Sequence, residues 1–250
     1  MGDRETKAMS LVAHLKELRK VLIISAYAIL IATVVGFFLT DPLFGYLTRP
    51  LQLLGSRATF VTMTVTEPIM VKLKVSVLAG ILMSLPVVVW QLWSFILPAL
   101  KKNERKYVYI IAPVSILLFF AGVAFAFYFA LPVGLKVLLF IQSGVAYQPL
   151  VTQSSYFGFL LGFLLTFGLV FELPVVLLAL VRLGVITPQF LSKNRKYAIF
   201  IIAIISAIAP PVQDLFSLLL FAGPMYLLYE VSIWLSYLVV RRRNKALQQR

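Results

Sequence analysis

YVYIIAPVSILLFFAGVAFAFYFALPVGLKVLLFIQSGVAYQPLVTQSSYFGFLLGFLLTFGLVFELPVVLLALV, residues 107–181, carries two charged side chains, Lys136 and Glu172. No water-soluble surface is built from a stretch of 75 residues with two charges. The whole chain agrees. Hydrophobic residues make up 61% of its 250 positions and charged residues 13%, against about 25% charged in ordinary soluble domains. A disordered chain is excluded as firmly as a soluble one. The composition predicts an all-α polytopic membrane protein.

Outward from that stretch, uncharged runs cover 21–39, 75–100, 107–131, 156–181 and 215–240, with one Glu each in the last two. Each is long enough for a hydrocarbon core of about 30 Å at 1.5 Å per residue. The run 197–209 is shorter and ends at Pro210-Pro211; on length alone it could be re-entrant. Charge decides. Four basic clusters hold most of the 23 Lys and Arg: Arg4 to Lys20, Lys101 to Lys106, Arg182 to Lys196, and Arg241 to Arg250. If 197–209 crosses, all four face the cytoplasm, as the positive-inside rule prefers. The expectation is six transmembrane helices with both termini cytoplasmic and a short fifth span that thins the local bilayer. Residues 1–20 form a cytoplasmic amphipathic segment, 21–240 a single bundle, and 241–250 a basic tail. The N-terminus is too long and too charged before its apolar run for a typical signal peptide, so the first span is an uncleaved anchor.

The net charge of +14 sits at span ends, which is a topology pattern and not a nucleic-acid footprint. The first outer link, 41–67, is apolar-rich and is expected at the interface or capping the bundle. Thr66-Glu67-Pro68 has the form of a helix start. Pro132 opens a second outer link, 132–155. Pro86, Pro113 and Pro174 fall inside spans and predict kinks. GILMSLPVV (80–88) is echoed by GLVFELPVV (168–176). A parallel repeat of spans two and four is one reading. The other is the common recurrence of Gly, Pro and aliphatic residues in membrane helices.

Catalytic equipment is missing. There is no cysteine, one histidine (His14), and no Asp inside a span. No HExxH, Walker or GxGxxG pattern occurs. No enzyme, metal centre or cofactor is expected. The acids are few enough to place one by one. Glu172 and Glu230 lie within spans, where an ionisable group costs roughly 2.5–3.5 kcal/mol, so each is a candidate polar site; the alternative is a protonated Glu bonded to a neighbouring helix. Glu67 and Asp214 belong to the outer links. Glu17 lies in HLKELRK (14–20), beside a stripe of Leu11, Leu15, Leu18 and Leu22. Glu104 sits among cations in KKNERK. A local salt bridge to Arg105 or Lys101, worth little if exposed, would explain Glu104, and a solvated helix face would explain Glu17.

The segments HLKELRK, TEP (66–68), LPVVVWQLWSFILPALKKNERK (85–106), FGLVFELPV (167–175) and APPVQDLFS with GPMYLLYE (209–230) resemble, in order, those of the TatC family, the core subunit of the twin-arginine translocase. The resemblance covers about residues 10–240. It implies a receptor for twin-arginine signal peptides on folded precursors, in the cytoplasmic (inner) membrane. Its implied partners are single-span TatA- and TatB-type subunits, further copies of itself and membrane lipid, with transport driven by the proton gradient. By motif, Glu17 and Arg19 correspond to the ELR element, and Phe95 and Glu104 to the first cytoplasmic loop. Pro50 corresponds to the outer-loop Pro, and Glu172 to the Glu of FExP. Two positions depart from the pattern: Ala209 replaces the Thr of T-P-P-D, and Leu218 replaces a Gln. Both fall where the family docks partner spans. The competing class is a proton-coupled small-solute transporter using Glu172 and Glu230.

Overall fold

A bilayer forces every spanning backbone group to find its partner within the chain, and the chain responds with helices. The computed structural model describes residues 2–53, 59–96, 108–140, 150–208 and 215–248. In order these are α1 (Gly2–Phe38), α2 (Thr40–Leu47), α3 (Arg49–Gln52), β1 (Thr59–Val61), α4 (Glu67–Ile96), α5 (Val108–Phe125), a π turn (Ala126–Ala130) and α6 (Leu131–Phe140). Then come β2 (Leu150–Thr152), α7 (Gln153–Val170), α8 (Leu173–Arg182), α9 (Pro188–Lys193), α10 (Arg195–Ile208) and α11 (Leu215–Gln248). Among the described residues, five stretches are long and apolar enough to cross a membrane: Leu15–Phe38, Glu67–Phe95, Tyr109–Val137, Gln153–Arg182 and Leu218–Arg241. The expected short span is α10, whose 14 residues reach roughly 21 Å.

Three local features depart from expectation. The fourth span is not one kinked helix but two: α7 stops at Val170 and α8 starts at Leu173. Pro174 supplies no N–H and its ring opposes the carbonyl four residues back. The chain tightens instead, with Glu172 donating its N–H to Leu169 O at 3.1 Å. Pro86 and Pro113 remain inside α4 and α5. Second, Pro132 does not open a link. The helix runs on to Phe140 because the π turn shifts the register: Leu131 donates its N–H to Ala126 O, five residues back. Third, the outer links contain a small parallel sheet, pairing Thr59 with Leu150, Phe60 with Val151 and Val61 with Thr152.

The chain packs as two compact units, Met1–Phe44 with Lys72–Ile116, and Gly45–Val71 with Leu117–Arg250. In the first, α1 lies against α4 through small residues, as membrane helices do in the absence of a hydrophobic drive between them. A Cβ on Gly36 would meet Ser76 O at 2.8 Å, and one on Gly80 would meet the Thr33 backbone at 2.6 Å. The Thr40 and Ser76 hydroxyls lie 3.2 Å apart beside this contact. Lys72 reaches outward to Asp41 at 3.7 Å, over the Phe37 ring.

In the second unit, α5 and α7 pack by the same device. A Cβ on Gly122 would meet Phe167 O at 2.6 Å, and one on Gly168 the Phe119 ring at 2.6 Å. The two glycines of the sequence echo, Gly80 and Gly168, therefore both mark close helix approaches. Phe163, Phe167 and Phe221 form an aromatic cluster with centroids 4.9–5.0 Å apart. α8 closes with Gly184 at φ +73°, where Val185 donates to Leu180 O and Gly184 to Val181 O, both at 3.1 Å. A left-handed residue is what this helix ending needs.

Gly80→Ala is expected to destabilise the chain by about 1–3 kcal/mol, because the atom it meets is rigid backbone. Gly162 has nothing within 4 Å of its Cβ position, so Gly162→Ala should be neutral or slightly stabilising. Thermal unfolding of both variants in detergent checks the contrast. Equal midpoints would refute the close α1–α4 contact.

Candidate functional site

The candidate residues fall in both units. In the first, α1 is one unbroken helix from the N-terminal segment into the membrane. Glu17 and Arg19 are exposed on it; of the leucine stripe, Leu15 and Leu22 are exposed and Leu18 is half-buried. Phe95 is half-buried in the last turn of α4, two residues after the buried Trp93. Glu104 lies outside the described residues, as do Ala209 and Asp214.

Among the described acids of the second unit, Glu67 is the most buried. It is the first residue of α4 and is 4% exposed. Its Oε2 accepts the Met63 N–H at 2.7 Å and its Oε1 the Ser154 N–H at 2.7 Å. One carboxylate thus joins the link leaving β1 to the first turn of α7. Nearby, Tyr156 donates its hydroxyl to Leu47 O at 2.7 Å, and Phe60 meets its ring edge-on at 5.4 Å. Thr152 caps α7 by accepting the Ser155 N–H. Pro50 is buried near the start of α3, above the buried Leu51. The hydroxyls of Tyr46 and Tyr128 are hydrogen-bonded, which pushes the Tyr46 phenol above its ordinary range.

Glu172 occupies the α7–α8 break, half-buried, with its Oε1 shut off from solvent. The break has a cause in Pro174, and it places a carboxyl where backbone regularity is already interrupted. Leu218 is half-buried near the start of α11. Glu230 accepts a two-pronged contact from Arg195, Nε to Oε1 at 2.6 Å and Nη2 to Oε2 at 3.1 Å. Tyr226, one turn earlier, donates to Oε1 at 3.0 Å. This fork geometry fits Arg and not Lys. Two further hydroxyls of α11 hold the same corner: Tyr229 donates to Leu191 O at 2.8 Å, and Tyr237 lies 3.0 Å from the Ser192 hydroxyl.

Sequence reading treated Arg195 only as a topology cation and missed its pairing with Glu230. Tyr226, four residues before Glu230, was a readable signal; Arg195, 35 residues away, was not. It likewise missed the two amides that Glu67 holds.

The comparisons with known proteins agree with one another. Residues 13–224 match the family described as Sec-independent protein translocase protein (TatC). The chain is 42% identical over 232 residues to the TatC of Carboxydothermus hydrogenoformans, covering 93% of this chain and 94% of that one. It is 37% identical over 246 residues to TatCy of Bacillus subtilis, covering 98% and 96%. It is 37% identical over 238 residues to the TatC of Aquifex aeolicus, covering 95% and 98%. A crystal structure of the twin arginine translocase receptor TatC superposes with a TM-score of 0.81 at 37% identity, covering 91% of this chain and 99% of that one. The same receptor crystallised in DDM gives 0.82 at 38%, covering 89% and 99%. The reading as a small-solute transporter is set aside, and the chain belongs to the TatC family of protein translocase components.

Proposed function

We propose that this chain is the signal-peptide receptor and core subunit of a twin-arginine translocase in the cytoplasmic membrane. It has six spans with both termini inside, α10 being the short fifth. The observation that carries the reading is similarity along nearly the whole chain to twin arginine translocase receptors. Exposed Glu17 and Arg19 on α1 add to it. Two adjacent guanidinium groups are best met by two separate carboxylates, since each pairing is bidentate and geometrically demanding. Glu17 and Glu104 supply them, with Phe95 beside the binding segment. The surrounding Lys and Arg repel a peptide that is merely basic, which favours a geometric match over general charge attraction.

Partner docking is assigned to the outer ends of α10 and α11, around Ala209 and Leu218. There, apolar packing replaces the family's polar contacts, which in membranes average only about 0.6 kcal/mol each. The partners are TatA- and TatB-type spans and further copies of this chain, and transport draws on the proton gradient. Glu172 serves as the polar intramembrane position for an incoming span. Asp214 and Pro50, with Glu67, shape the outer links.

A precursor bearing an Arg-Arg signal should co-purify with the detergent-solubilised protein. Its Lys-Lys variant should be retained at least tenfold less, the loss expected when a fork-shaped, charge-assisted contact worth about 1.5 kcal/mol is removed. Equal retention of the two precursors would sink the receptor assignment.

A further inference from the structure

The turn between β1 and α4 reads T-M-T-V-T from Thr62 to Thr66. Every one of its side chains is exposed, and Val65 is 96% exposed. Exposure continues into the first turn of α4 at Ile69 and Met70. From 58 to 71 the only charged residue is Glu67, and its carboxylate is turned inward to the Met63 and Ser154 amides. The result is an apolar tip with hydroxyls between its hydrophobic residues and no outward charge. A docking surface for protein at an aqueous face carries a polar, charged rim; between 58 and 71 the sequence supplies no outward charge for one.

Its depth fits lipid. The uncharged run of α4 begins at Val75, just past Lys72 and Lys74. Ile69 and Met70 lie six and five residues earlier, roughly 8–9 Å further out along the helix. The headgroup layer is about 5–8 Å thick and interfacial segments insert about 5–10 Å, so these two residues stand at its outer part. The tip is also continuous with the lipid-facing start of the span itself.

We propose that the 62–70 turn is an interfacial anchor. Met63, Val65, Ile69 and Met70 insert into the headgroup layer of the leaflet at the N-terminal end of α4, and Glu67 holds the turn in the inserting conformation. The anchor fixes the level at which α4 enters the bilayer. It goes beyond the receptor reading and holds whichever side that leaflet faces.

The chain has no cysteine, so Val65→Cys and Gln189→Cys each carry a single thiol for an environment-sensitive fluorophore. Gln189 is exposed in α9, outside the candidate spans, and is the aqueous reference. Both are placed in full-length protein in lipid nanodiscs, where each membrane face is open to quencher. Iodide is expected to quench the label at 65 at least fivefold less than at 189. Lipids spin-labelled near the headgroup should reverse that order. Equal iodide quenching at the two sites overturns the anchor. Quenching at 65 by neither reagent also overturns it, because protein then covers the tip. Loss of Arg-Arg discrimination with the lipid quenching intact would strike the receptor reading alone.

Discussion

Glu67→Ala is expected to loosen both outer links at once and to cost about 3–6 kcal/mol. The figure is two hydrogen bonds to a charged acceptor at about 1.5–3 kcal/mol each. Both bonds measure 2.7 Å, the length of charge-assisted contacts. The site is 4% exposed, so water is a poor replacement acceptor for the Met63 and Ser154 amides. Glu67→Gln is not conservative here. A carboxamide has one acceptor oxygen and one donor nitrogen, so one of the two amides must face another donor. Glu67→Asp keeps the charge but is one methylene short of reaching two links. The expected order of damage is Ala, then Gln, then Asp. Hydrogen exchange at the Met63 and Ser154 amides reads it directly, and thermal unfolding in detergent gives the size. A Gln variant as protected as the parent would show that the carboxylate is not the acceptor.

That clasp also marks where sequence reasoning stops. Thr66-Glu67-Pro68 announced a helix start, and α4 does begin at Glu67. The second amide it holds is 87 residues away, and nothing local encodes such a pairing. The same holds for the sheet, whose two three-residue strands join links about 90 residues apart. The spans were readable because a bilayer demands long apolar runs and permits almost nothing else. Prolines were readable as disturbances but not as outcomes. Pro86 and Pro113 stay inside helices, Pro174 ends one, and Pro132 is absorbed by a π turn. Which outcome follows depends on where the freed carbonyls find partners, a property of the packed structure. Of the two acids expected inside spans, Glu172 was expected at a polar position and sits at a helix break. Glu230 was expected away from the span ends and is held by Arg195 from the start of α10.

Exchanging Glu17 and Glu104 for Gln is expected to weaken precursor binding about 10–150-fold for each substitution, or about 1.5–3 kcal/mol apiece. Gln preserves shape and one acceptor, so the loss reports charge and two-pronged geometry rather than packing. Glu17 is exposed in the free protein, so its exchange for Gln opens no cavity in the core. The contact forms only when a signal peptide covers it and excludes water. Raising the salt should therefore weaken the initial encounter more than it loosens a bound precursor. The double variant discriminates between two arrangements. If each carboxylate meets its own guanidinium, the two losses add to within about 0.5 kcal/mol. If both act on one Arg, the second substitution adds far less. The Lys-Lys precursor is the internal control: having already lost the fork, it should respond to neither exchange by more than a few-fold. Precursor affinity unchanged in both single variants would remove Glu17 and Glu104 from the recognition site and leave the family assignment standing without them.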